Sequence, residues 1–233
     1  MSLKPIRTGG IAIPFQYHRQ LTDHPDQFIE ERGVTVIWQK CLFCPCLNEY
    51  GQPDPYCSTC HGRGFFHHES WEIKALFTDV QGVPQYLRPG FWLWGTAYLT
   101  TKSTVKLAFR DRIIVPKYDS VYLETRQVTS GMVTFPLRQP RTIEFVTYRD
   151  QHGRVTIVPP DAYQYQNGVL SFTDPPEDGT VVTVRYQAPL MYMVVNLLHE
   201  ARGWRDHQGR EVMFPNQYLV QREDLVTEEK QNT

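Results

Sequence analysis

An excess of charge of either sign is missing from this chain. Its 24 basic and 25 acidic residues leave a formal net charge of −1. No long-range field therefore draws it to nucleic acid or to an anionic bilayer. Long apolar runs are missing too, since no stretch approaches the roughly 20 residues that a membrane-spanning helix needs. The opening residues, Met1 to Arg7, hold no apolar segment of the secretory kind. This gives the expectation of a chain that matures in a reducing cytosol. Internal repeats and low-complexity tracts are absent, as are a phosphate-binding glycine loop and a nucleophile–base motif. His199-Glu200 begins a pattern known from metalloproteases, but Gly203 stands where the second histidine belongs. These absences lead to the expectation of a protein that is not an enzyme.

Cysteine is scarce and confined. All five lie in one stretch, Cys41 to Gly64, reading CLFCPCLNEYGQPDPYCSTCHGRG. Four of them form two C-x-x-C pairs, Cys41/Cys44 and Cys57/Cys60. Each pair allows one tight turn to present two thiolates to a single ion, and two such turns complete a tetrahedral site. The expectation is a structural zinc ion on Cys41, Cys44, Cys57 and Cys60. Two alternatives stay open: Cys46 can take the place of Cys44, and His61 that of a cysteine. An odd number of cysteines in a reducing compartment disfavours disulfides. Four thiolates also leave no open position for catalysis. Gly62 and Gly64 let the backbone curl so that N–H groups face the sulfurs. Between the pairs, Asn48 to Pro55 is turn-forming and poor in apolar residues, so a metal rather than a core must hold it.

The rest reads as strands. Aromatics at 13%, with 17 prolines and 15 glycines, lean towards a β-rich, loop-rich chain. Residues 1–36 are expected to form an N-terminal arm (its last few, 34–36, already strand-like) and 37–70 the zinc module. Residues 71–190 form the β-rich part, with a possible boundary near 141, and 191–233 a C-terminal segment and tail. Phe91–Thr100 is aromatic and β-branched, with Gly95 marking a bend. Val105, Leu107 and Phe109 alternate with polar positions. Arg110-Asp111-Arg112 reads as an exposed or inter-strand charge cluster, and His67-His68 as structural. Asn167-Gly168 is the strongest short hairpin signal available. Tyr192–Glu200 fits either a helix or a buried strand. Several strands with turns every eight to twelve residues indicate an antiparallel β-sandwich or barrel.

Two resemblances follow from these residues. Cys57-Ser58-Thr59-Cys60-His61-Gly62-Arg63-Gly64 resembles one C-x-x-C-x-G-x-G element of the zinc modules in DnaJ-type chaperones, which implies a zinc knuckle and no chaperone activity. The wider pattern, from Cys44-Pro45-Cys46 through Gly51-Gln52-Pro53-Asp54-Pro55 and Cys57–Gly64 to Gly168–Phe172 and Pro175–Tyr186, resembles structural proteins of tailed bacteriophages. That resemblance implies a virion component assembled in the host cytoplasm, a head–tail connector or neck protein forming a ring, or else a tail or baseplate component. Its implied partners are copies of itself and other virion proteins, portal, adaptor or tail. A zinc ribbon that binds nucleic acid is the competing reading, and Arg63 as the single basic residue within 41–64 argues against it.

Overall fold

The computed structural model describes residues 25–79, 95–135, 138–149, 152–199, 203–205, 209 and 211–228. In chain order these give helix α1 (Pro25–Arg32), β1 (Val34–Phe43), β2 (Phe65–Asp79), β3 (Thr96–Thr101), β4 (Arg112–Gln127), β5 (Met132–Thr134), β6 (Thr142–Arg149) and β7 (Val155–Val158). They continue with β8 (Tyr163–Gln166), β9 (Val169–Phe172), β10 (Val181–His199), β11 (Gly203–Arg205), β12 (Glu211–Met213), β13 (Asn216–Arg222) and α2 (Glu223–Glu228). The fold is mainly β and antiparallel, as the turn spacing implies.

Two strands set the architecture. β4 and β10 pair along nearly their whole lengths, from Val181↔Gln127 to Met193↔Arg112. The register jumps once, where Pro189 faces Asp119 and Leu190 faces Val115, so residues 116–118 bulge out. Such an insertion bends a strand and increases its twist. On one side of the bend, hydrogen-bonded neighbours run β13-β3-β2-β1-β4-β10, and β13 pairs back onto β10. That circuit is a closed six-stranded barrel with no free edge. On the other side β4 and β10 continue with β6 and β7, and the sheet β5-β9-β8 covers one face to make a sandwich.

Alternation along the strands fills each lobe. In β3, Ala97, Leu99 and Thr101 point inward, and in β13 Asn216, Tyr218 and Val220 do. They meet Val36, Ala75, Ile113 and Val194 in the barrel core. The inward polar groups satisfy the chain between β3 and β4: Asn216 Nδ2 donates to the Val105 carbonyl at 2.8 Å, and the Leu107 N–H donates to the Tyr218 hydroxyl at 3.0 Å. The sandwich core gathers Tyr122, Val146, Leu170, Val182, Val184 and Tyr186.

Several expectations are resolved here. Residues 25–36 of the expected arm belong to the folded body, since Ile29 and Val36 are buried; the remainder of the arm, residues 1–24, lies outside the described residues. So do the turn at 81–84, residues 91–94 of the aromatic strand, Glu200 and the tail from 229. Tyr192–His199 is strand rather than helix, because it is the half of β10 that closes the barrel. No boundary falls at 141: β4 before it and β10 after it share one ladder. Asn167 and Gly168 adopt φ of 51° and 81° in the β8–β9 turn, as the primed hairpin turn requires.

Shared strands make the two lobes one cooperative unit. Leu99→Ala in the barrel and Leu170→Ala in the sandwich should each cost roughly 2–5 kcal/mol. Both should lower the midpoint of a single urea transition monitored by tryptophan fluorescence and far-ultraviolet dichroism. Two separate transitions, each moved by only one substitution, would refute this coupling.

Candidate metal centre

The cysteine stretch is the connection of the β1–β2 hairpin. Phe43 pairs with Phe65, and the Cys44 N–H donates to the Gly64 carbonyl at 2.9 Å, so the ladder runs up to the first ligand candidate. Beyond it the chain makes turns held by its own polar groups. Asn48 Oδ1 accepts from the N–H groups of Tyr50 and Gln52, and Asp54 Oδ1 accepts from that of Tyr56. The second pair forms a knuckle, with the His61 N–H donating to the Cys57 carbonyl at 2.9 Å and that of Arg63 to Cys60 at 3.1 Å. Gly62 and Gly64 sit at φ of 78° and 74°. A Cβ on them would come within 3.3 Å of Pro55 and 3.4 Å of Pro53. Both positions therefore favour glycine for the backbone angle, and Gly62 for space as well.

Four sulfurs converge: those of Cys44, Cys46, Cys57 and Cys60 lie within 4.8 Å of one another. Cys44 and Cys57 are 3.7 Å apart and Cys46 and Cys60 3.4 Å. These separations exceed a disulfide bond, about 2.05 Å, and all five thiols are free. They approach the ~3.8 Å between sulfurs that tetrahedral coordination at about 2.3 Å per bond dictates. The donor set and spacing suit a metal ion.

The set differs from the sequence expectation in one member. Cys44, Cys57 and Cys60 take the expected places, but Cys46 stands where Cys41 was expected, and exposed His61 is not in the group. The reason is the length of β1. Cys41 to Phe43 are still strand, paired with His67 to Phe65. Three strand residues span roughly 10 Å and point their ends to opposite faces, so Cys41 and Cys44 cannot form a knuckle. The turn comes at Pro45-Cys46, and a proline between two cysteines is the one local signal that favoured this pair. Cys41 is instead tied into the sheet, where its N–H donates to Asp111 Oδ1 at 2.9 Å. Burial and the nearby Asp111 carboxylate push its thiol up, against the thiolate a ligand must be.

The sulfurs of the cluster are not equivalent. Backbone N–H groups of Cys60 and Thr59 bring Cys57 down to about 6. They are the amides within the knuckle rather than those of the glycines. Burial, with the thiols of Cys44 and Cys60, pushes Cys46 up to about 12. The Cys46 amide pulls Cys44 down, but burial and the thiols of Cys57 and Cys60 outweigh it and leave Cys44 raised. One thiolate among crowded thiols resists a second ionisation, and a dication removes that resistance.

Beneath the hairpin end lies a buried ionic seam between the lobes. Arg63, from the cysteine stretch, reaches Glu223 Oε1 at 3.3 Å, and Arg112 of β4 bonds the same oxygen. Glu223 is fully buried. Burial raises its carboxyl, but Arg112 and Arg138 outweigh this and hold it below the usual carboxylate range. Arg138 in turn binds Glu124 at 2.5 Å, which also accepts from the Tyr186 hydroxyl at 2.6 Å. Of the two readings of its charge cluster Asp111 fits the inter-strand one: it is buried, accepting from Trp38 Nε1 at 2.7 Å and from the N–H groups of Cys41 and Ala108. His67 donates Nε2–H to the Arg110 carbonyl at 2.9 Å, and burial and Arg112 bring it down to about 4. It is a neutral structural histidine, and its neighbour His68 is exposed. Sequence reading missed this seam, because its members lie up to 160 positions apart. No protein-family model matches the chain, and a comparison with curated proteins found no match.

Cys46→Ser should abolish tight metal binding as Cys60→Ser does, while Cys41→Ser should keep it. Titration with cobalt(II), followed by thiolate-to-metal absorption, reads the difference directly. Loss in Cys41→Ser with retention in Cys46→Ser would return Cys41 to the site. Glu223→Gln leaves two buried guanidinium groups short of charge and should cost about 3–5 kcal/mol at neutral pH. Since the folded-state carboxyl titrates below its unfolded value, this contribution is present above the ordinary carboxylate range and fades as pH falls through the lowered value. The gap between wild type and variant in denaturant unfolding should therefore narrow in acid.

Proposed function

We propose that this chain is a non-enzymatic structural protein of a tailed-phage virion, a head–tail connector or neck component that assembles as a ring. A zinc ion on Cys44, Cys46, Cys57 and Cys60 pins its β1–β2 connection. The observation that carries the structural role is the four-thiol cluster at the end of a hairpin whose connection has almost no core of its own. Four sulfur donors close a tetrahedral zinc shell and leave no site for substrate or water. Metal binding then supplies the ordering free energy that apolar burial supplies elsewhere. The virion assignment rests on the resemblance in the Cys44–Gly64 and Gly168–Tyr186 segments.

A nucleic-acid-binding zinc ribbon is less well supported. Its one cation within 41–64, Arg63, turns inward to Glu223, and phosphate binding needs exposed cations.

Elemental analysis of the purified protein together with its mass in solution tests the proposal. The expected result is one zinc per chain in ring-sized particles, with the 44–64 segment becoming protease-sensitive after chelation. A metal-free protein would overturn the zinc reading, and a protein that stays monomeric at high concentration would overturn the ring.

A further inference from the structure

We infer that the four-thiol cluster is an exchangeable staple: on contact with hydrogen peroxide, Cys44 joins Cys57 and Cys46 joins Cys60 as disulfides, and these hold the β1–β2 connection closed once the metal is gone. This inference rests on the zinc site and the virion reading above, and it concerns how that site responds when the chain leaves a reducing cytoplasm.

The cysteines belong to two arms of the connection. Cys44 and Cys46 lie on the arm that leaves β1, and Cys57 and Cys60 on the arm that returns to β2. Sulfur contacts cross between the arms, at 3.7 Å for Cys44 with Cys57 and 3.4 Å for Cys46 with Cys60. Closing from there to a disulfide bond, about 2.05 Å, lies within the reach of side-chain torsions. Each pair joins a partly exposed cysteine to a buried one, Cys57 to Cys44 and Cys46 to Cys60. A small oxidant can thus reach one member of each pair while the other lies in contact with it. A bond within the knuckle, from Cys57 to Cys60, would tie residues of one arm and leave the two arms free to part. The fifth cysteine, Cys41, stands in β1 and outside the cluster.

In each pair the thiolate of the partly exposed cysteine attacks a peroxide oxygen. The O–O bond breaks, hydroxide leaves, and the sulfur becomes a sulfenic acid. The buried thiolate then attacks that sulfur, the S–S bond forms and a second hydroxide departs. Two electrons pass from each pair to one hydrogen peroxide. Two peroxides per chain therefore oxidise all four thiolates, and four protons from solvent convert the hydroxides to water. With its thiolates consumed, the chain no longer holds the ion. The new bonds span 13 and 14 positions, so they remove chain entropy that metal binding removed before. Arg63 keeps its contact with Glu223 throughout. Such an exchange suits a particle that assembles among reductants and then leaves them.

The test uses the purified full chain with its zinc, titrated with hydrogen peroxide. A chromogenic chelator should report release of the ion, complete at about two peroxides per chain. Cleavage after Glu49 in the unfolded, alkylated protein separates Cys44 and Cys46 from Cys57 and Cys60. Without reductant those two peptides should stay joined, and electron-transfer fragmentation should assign the links as Cys44–Cys57 and Cys46–Cys60. Residues 44–64 of the oxidised protein should resist protease, whereas chelation of the reduced protein opens them. A link between Cys57 and Cys60, sulfinic acids in place of disulfides, retained zinc, or an oxidised connection as protease-sensitive as the chelated one would each overturn the exchange and leave the zinc site standing. A chain that carries no zinc when purified would overturn both.

Discussion

The ladder between β4 and β10 is the constraint on which the rest depends. One half of each strand closes the barrel and the other half carries the sandwich. Neither lobe can lose these strands and keep its core, because both strands contribute buried side chains to both clusters. The bulge at 116–118 lets one pair of strands serve two curvatures. Two modest cores thereby share the entropic cost of ordering a single pair of long strands.

Near the bend of β4 and β10, buried charges sit beside buried apolar side chains such as Met191 and Met193. Arg63, Arg112, Arg138, Glu124 and Glu223 come from the cysteine stretch, from β4, from the segment before β6 and from the start of α2. A buried charge tolerates few geometries, so such a seam fixes how its parts sit and adds little net stability. Through Arg63 it also joins the cysteine stretch to the C-terminal helix. The hairpin end is thus anchored by Glu223 below, and the four thiols above offer a second anchor if they bind a metal ion.

This anchoring gives the proposed assembly role its physical sense. A turn-rich connection without a core can present aromatic side chains rigidly only if something other than burial orders it. Among the described residues, Leu47, Tyr50 and Tyr56 are exposed apolar side chains on that connection.

The sequence by itself determined the β class, the β8–β9 hairpin and three of the four converging cysteines. Each of these rests on local chemistry: strand alternation, the left-handed freedom of Asn167-Gly168, and the turn that Cys57-x-x-Cys60 with its glycines imposes. Only the tertiary structure decided that Cys46 joins them and Cys41 does not, because the pairing of β1 with β2 extends strand as far as Phe43 and moves the turn to Pro45. The burial of Asp111, which in sequence reads as part of an exposed or inter-strand charge cluster, was likewise decided by partners about 70 residues away. Barrel closure by β10 and β13 and the seam around Glu223 have no local signature at all. They arise from register between distant strands, which short-range patterning cannot encode.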